Sequence, residues 1–226
     1  MNAHTLIAKD IDFSYRYGGF GLKIPELSLC SSVAMAVIGP SGTGKTTLLN
    51  LLAGCCLPKR GTVCINGQTL TDMSDAARRA FRIQNIGMVF QEFELLEHLD
   101  VLDNILLPYR ISSCLKLDKS VRLRAVEIAE RVGIKSKLKC NVGHLSQGER
   151  QRVAVCRALV TEPALLLCDE PTGNLDPENS RHVLDTMFNY MKAHGRMMVT
   201  VTHDHESARR FDRLVDITEI GEGDRG

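Results

Sequence analysis

Apolar and polar residues alternate along much of the first thirty positions, as in Ile11-Asp12-Phe13-Ser14-Tyr15 and Leu27-Ser28-Leu29. A period of two predicts antiparallel strands with one wet face. The pattern then changes. Val33-Ala34-Met35-Ala36-Val37-Ile38 is apolar throughout, the mark of a strand covered on both faces. A glycine-rich stretch separates it from Thr46 to Ala53, which predicts a helix ended by Gly54. Gly61 to Gly67 predicts a hairpin element.

From about residue 92 to 157 the spacing becomes helical. Between Asp118 and Val132, the apolar Val121, Ala125, Ile128 and Ala129 fall on one side of a densely charged segment. An amphipathic helix is expected over Glu149 to Val160. Two more apolar runs, Ala164 to Asp169 and Met197 to Thr202, flank a helix predicted over Pro177 to Ala193. Buried strands alternating with helices predict a parallel α/β core. The 226 residues are expected to form one domain, with a core of about 1–91 and 161–226 and an inserted helical lobe of about 92–160.

Composition narrows the partners. Basic and acidic residues nearly balance, 28 against 27, so no electrostatic footprint for nucleic acid or an anionic membrane is expected. The eight cysteines contain no C-x-x-C pair, which favours small buried hydrophobes in a reducing compartment over disulfides or a zinc site. The N-terminus lacks the pattern of a signal peptide, and no run approaches the ~18 apolar residues of a membrane span. A cytoplasmic chain is expected, reaching a membrane only through a partner.

One motif gives this frame a chemistry. Gly39-Pro40-Ser41-Gly42-Thr43-Gly44-Lys45-Thr46 matches G-x-x-x-x-G-K-[ST], after a buried strand and before a helix. Glycines let backbone N–H groups turn inward around phosphate, and the helix N-terminus adds positive potential. Lys45 is expected to reach the β/γ-phosphates, the Thr46 hydroxyl to ligate Mg²⁺, and Thr47 to complete the nucleotide-binding set. Asp169 ends an apolar strand, from which a carboxylate can hold Mg²⁺ through water, and Glu170 points differently, toward an attacking water. His203 follows the last buried strand, at the edge where open α/β sheets bind ligands. Ser146 and Glu149 fit a capping box, which is either a plain helix start or an anion site. No N-K-x-D element for guanine is present.

In order, the phosphate loop, Gln91 in Val89-Phe90-Gln91, Leu145 to Glu149, Leu165 to Glu170, Gly173-Asn174-Leu175-Asp176 and His203 resemble the ATPase subunit of an ABC transporter over nearly the whole chain. The resemblance implies a P-loop NTPase core, ATP and Mg²⁺ as ligands, and an ATP-dependent homodimer working with integral membrane permease subunits. It implies adenine stacking by Tyr15, with Tyr17 and Phe13 as rivals. It makes Gln91 a contact to Mg²⁺ and a sensor of the membrane partner. Ser146, Gln147, Gly148 and Glu149 become the signature that meets ATP on the other subunit. Glu170 becomes the catalytic base, Asp176 part of the loop joining the two sites, and His203 the switch histidine. The family's commonest signature is Leu-Ser-Gly-Gly-Gln, so Gln147 and Glu149 depart from it. A positive φ at Gln147 is expected to cost more than at glycine. Ser31-Ser32 stands where a glycine is often seen, which is expected to affect only that turn.

Ile86 to Gln91, Asn104, Pro108 and Glu170 to Asp176 resemble, more narrowly, the lipoprotein-release and macrolide-export (LolD/MacB-like) branch. The resemblance implies export or lipoprotein extraction at the inner face of the cytoplasmic membrane. Alternatives are an FtsE-like ATPase that signals through a membrane partner, or a non-transport ATPase acting on nucleic acid. The absence of a long heptad insertion between Gln91 and Ser146 weighs against the last.

Overall fold

The computed structural model describes residues 4–16, 19–173 and 175–220. A long hairpin opens the chain: β1 (Thr5–Ser14) pairs antiparallel with β2 (Gly21–Cys30). Leu6 and Ala8 are buried, and so are Ile11 and Phe13, although the two pairs sit on opposite parity. A bulge reconciles them. Asp10 has φ 53°, and the register shifts between Lys9 and Asp12 against β4 (Arg60–Ile65). An extra residue in one strand flips which side chains face inward. With β5 (Gln68–Thr69) these strands form a sheet of order β2-β1-β4-β5.

The second sheet is parallel throughout. It contains β3 (Ala34–Ile38), β6 (Ile86–Val89), β7 (Leu165–Asp169), β8 (Met197–Val201) and β9 (Arg213–Asp216), in the order β6-β7-β8-β3-β9. The apolar runs are explained by two cores, one on each face. Ala34, Ala36 and Ile38 of β3 face one, Met35 and Val37 the other; Leu166 and Cys168 of β7 divide from Leu165 and Leu167 likewise. Each leucine so buried contributes about 2 kcal/mol relative to exposure.

The first of those two cores is filled from the sheet's outer side by α3 (Val101–Ile105), α5 (Lys119–Arg131), α6 (Gln147–Leu159) and α7 (Pro177–His194). Val121, Ala125, Ile128 and Ala129 are the buried residues of α5, as the spacing predicts. The second core lies between the two sheets and around α1 (Lys45–Leu52). Two short helices, α2 (Asp75–Asn85) before β6 and α4 (Leu107–Ile111) after α3, flank the sheet at its β6 edge, while α8 (His205–Ala208) and α9 (Ile217–Ile220) bracket β9. Ser32 takes φ 63°, so the serine carries the left-handed conformation its turn requires. Among the described residues no helix is long and apolar enough to cross a membrane.

The expectation for cysteine is corrected in part. All eight are free, but only Cys156 and Cys168 are buried, whereas Cys30, Cys55 and Cys114 are exposed. Apolar neighbours along the chain do not bury a thiol at a strand end or a helix terminus.

Candidate functional site

Strand register brings the predicted residues to one edge. Val37 of β3 aligns with Val201 of β8, which aligns with Asp169 of β7. The phosphate loop, Glu170 and His203 therefore leave the sheet side by side at its carboxyl end. Val89 of β6 aligns with Cys168, so Gln91 emerges at the same edge. It is exposed there.

The phosphate loop is a chain of unusual backbone conformations. Gly39, Gly42 and Gly44 have φ of 149°, 81° and 95°. At Gly44 a side chain is excluded twice, by this φ and because a Cβ would lie 2.4 Å from Cζ of Phe20. Ser41 and Gly42 face solvent, and the Thr43 hydroxyl donates to Pro40 O at 2.8 Å, closing the loop on itself. Lys45 Nζ donates to the carbonyls of Gly39 (2.7 Å) and Pro40 (2.9 Å), which holds an ammonium at the loop's mouth. Among the described residues, Phe20 is a contact that sequence reasoning missed, because it lies outside the motif and reaches Gly44 only through the β1–β2 hairpin.

Thr46 Oγ1 donates to Asp169 Oδ2 at 2.8 Å. Burial raises the Asp169 carboxyl above its ordinary value, the Thr46 hydrogen bond opposes that rise, nearby Glu170 adds to it, and Lys45 lowers it. A carboxylate that is costly to ionise alone, converging with a hydroxyl on one point, suits a hard divalent cation that takes oxygen ligands.

Glu170 is nearly buried, at 9% exposure, with φ 48° and its N–H bonded to Val201 O at 3.0 Å. Both carboxylate oxygens are engaged. His203 Nδ1 lies 2.8 Å from Oε1, and the Thr202 hydroxyl donates to Oε2 at 3.2 Å. The His203 side chain is otherwise 73% exposed, and its second nitrogen has no hydrogen-bond partner among the described residues.

Of the adenine candidates, Phe13 is buried and packs edge-on against Tyr15 at 4.9 Å. Tyr17 lies outside the described residues, as does Asn174. Tyr15 is 46% exposed, and its hydroxyl lies 3.0 Å from Thr47 Oγ1. Thr47 is itself buried, with its hydroxyl turned to Tyr15.

Ser146 caps α6 in a full capping box: its hydroxyl accepts from Glu149 N at 3.3 Å, and Glu149 accepts from Ser146 N at 2.9 Å. That backbone hydrogen bond, ahead of all other causes, holds the Glu149 carboxyl below its usual range. Gln147 is the first residue of the helix and Gly148 the second, and neither has a positive φ. The strain expected at Gln147 is therefore absent, because helical φ suits any side chain. The N–H groups of Gln147 and Gly148 have no partner among the described residues, as the first turn of a helix dictates. A Cβ on Gly148 would lie 3.0 Å from Leu175 Cδ2. Asp176 caps α7 by accepting from the N–H groups of Glu178 and Asn179, and Asn179 Oδ1 accepts from Arg152 of α6 at 2.7 Å. The start of α6 and the Asp176 loop are thus joined within one chain, through an Arg–Asn pair the sequence alone did not single out.

A family model described as "ABC transporter" matches residues 22–173. The chain is 42% identical over 194 residues, 86% of its length and 81% of the relative's, to the lipoprotein-releasing system ATP-binding protein LolD of Chromohalobacter salexigens. It is 37% identical over 224 residues, 97% and 96% of the two chains, to the LolD protein of Hydrogenovibrio crunogenus. Among solved structures, a dimeric bacterial ABC transporter cassette, MJ0796, superimposes with a TM-score of 0.84 at 29% identity over 98% of this chain and 99% of that one. A dimeric post-hydrolysis state of MJ0796 bound to ADP and Pi gives 0.81 at 28% identity, covering 93% of both. A family model over most of the chain and relatives of 37–42% identity agree with a nucleotide site at the carboxyl edge of a parallel sheet, and the chain belongs to the ABC transporter family as an ATP-binding, ATP-hydrolysing subunit.

Proposed function

We propose that two copies of this chain close head to tail around ATP and drive a membrane permease in lipoprotein or lipid extraction. The observation that carries this reading is the exposed start of α6. Ser146, Gln147 and Gly148 offer a hydroxyl and two free N–H groups, yet they sit beside Leu175 and the Asp176 loop in their own chain. An anion site so placed serves a second copy. Dimeric MJ0796 and the LolD relatives support it.

In this reading Lys45 and the loop N–H groups hold the β- and γ-phosphates, and Tyr15 stacks on adenine. Thr46 and Asp169, with Gln91, would hold Mg²⁺, which supplies charge neutralisation to the departing phosphate. Glu170 takes a proton from water as its oxygen bonds in line to the γ-phosphorus and the bond to ADP breaks. His203 Nδ1 steers the Glu170 carboxylate, leaving Nε2 to face the γ-phosphate. Ser146→Arg is expected to leave ATP affinity of the monomer within about twofold of wild type while cutting turnover by at least about a hundredfold, since the bulky cation blocks closure. Titration with a fluorescent ATP analogue and a phosphate-release assay check it; wild-type turnover contradicts it.

The membrane partner docks elsewhere. A cleft of about 560 Å³ opens between α2, β6, α4 and α6, lined by Arg82, Ile83, Phe90, Glu94, Pro108 and Ile111. Ile111 is 69% exposed. Arg157 of α6 donates to the carbonyls of Phe93 and Glu94, and buried Asn104 bonds both N–H and C=O of Leu96, so the segment after Gln91 is fastened to the lobe that lines the cleft. In this reading the domain spans 1–226, with the stretch of about 92–160 as its inserted helical lobe, and the chain sits peripherally on the inner face of the cytoplasmic membrane. Near-balanced charge favours protein partners over nucleic acid. Ile111→Asp is expected to lose co-purification with a four-span membrane subunit from detergent-solubilised membranes and to keep the ATPase of the isolated chain. Undiminished recovery of that subunit places the docking surface elsewhere.

A further inference from the structure

The hydroxyl of Thr202 has no room for choice. Thr202 is 3% exposed and lies one residue past β8. A hydroxyl has one proton to give and two lone pairs with which to accept. The Asp204 N–H donates to Oγ1 at 3.0 Å and takes one lone pair. The single proton is left for Glu170 Oε2 at 3.2 Å, while the other Glu170 oxygen meets His203 Nδ1 at 2.8 Å. One hydrogen bond to one oxygen leaves a carboxylate free to turn about its last torsion, which is broad and roughly two-fold. A second bond at the other oxygen, from a side chain that is itself buried and held by the Asp204 N–H, fixes the plane.

We propose that Thr202 is a positioning residue for ATP hydrolysis: by donating to Oε2 it sets the plane of the Glu170 carboxylate and so the lone pair that meets the attacking water. The proposal rests on Glu170 being the base. It assigns Thr202 no contact with nucleotide. Orientation of a base acts on the chemical step and leaves ground-state binding alone. Thr200, two residues earlier on β8, is a natural control. It is buried as deeply, and among the described residues its hydroxyl has no oxygen or nitrogen partner; its polar neighbour is the Cys168 thiol, away from Glu170.

Thr202→Val, Thr202→Ser, Thr200→Val and Glu170→Gln in the full chain test this. Turnover, ATP affinity, thermal midpoint and the lifetime of the ATP-bound dimer are measured for each. Thr202→Val is expected to lower kcat by about tenfold or more, with ATP affinity within about twofold of wild type and a longer-lived ATP-bound dimer. Thr202→Ser returns kcat to within about threefold, and Thr200→Val behaves as wild type. A merely structural role predicts the opposite: a lower thermal midpoint, weaker ATP binding and a shorter-lived dimer. That pattern, wild-type turnover in Thr202→Val, or no rescue by Thr202→Ser overturns the proposal. If Thr202→Val does not fold, Thr202→Cys replaces it, keeping an acceptor for Asp204 with a poor donor to Glu170, and the same split is expected. Wild-type turnover in Glu170→Gln sinks the base assignment itself, and is read separately from the Thr202 variants.

Discussion

Glu170→Gln is expected to cut ATP turnover by about a thousandfold while ATP still binds and the ATP-bound dimer accumulates. The substitution is isosteric. An amide oxygen accepts from Thr202 as the carboxylate does, at the 3.2 Å separation present now. The amide NH₂ can face His203 Nδ1 if the ring adopts the other tautomer. Geometry is thus preserved and only the proton acceptor is lost. Phosphate release under saturating ATP measures the first part and equilibrium nucleotide titration the second. Turnover within tenfold of wild type removes Glu170 from its role as base.

Lys45→Ala should fail one step earlier. Its ammonium now rests on the carbonyls of Gly39 and Pro40, so it is already poised where phosphate enters. A charge-assisted hydrogen bond to phosphate contributes about 2–3 kcal/mol, so affinity for ATP should fall roughly 30- to 150-fold. Calorimetric titration of both variants separates the roles: Lys45→Ala loses binding, whereas Glu170→Gln keeps it and loses turnover. Unchanged affinity in Lys45→Ala contradicts the cradle.

Much of this was legible because the chemistry is tied to punctuation of the hydrophobic pattern. Three continuous apolar runs end at Gly39, Asp169 and Thr202, and a parallel sheet places such ends on one edge. Other elements gave little signal. Strand β6 is four residues long and contains a glycine; in α2 the buried residues are Phe81 and an arginine, Arg78. Arg78 is buried because it caps inward, donating to Met73 O and Asp75. Strand β9 has no buried residue at all and is held by its register against β3.

In the site, Phe20 and Thr202 escaped notice for different reasons. Phe20 meets Gly44 across a hairpin, a contact no local pattern encodes. Thr202 closes an apolar run, where a threonine reads as strand filler. The role proposed for it rests on the Asp204 N–H and the Glu170 carboxylate sharing its hydroxyl. Gln147 went the other way. Compared with glycine in the family's commonest signature it promised strain, and as the first residue of α6 it carries none.

The central claim is that each ATP site needs two copies of this chain. Light scattering coupled to size exclusion tests it directly on Glu170→Gln, which is expected to hold ATP without consuming it. The expected result is the mass of one chain without nucleotide, twice that mass with ATP, and one chain again with ATP when Ser146→Arg is added. A single-chain mass for Glu170→Gln saturated with ATP, or a dimer indifferent to Ser146→Arg, would contradict it.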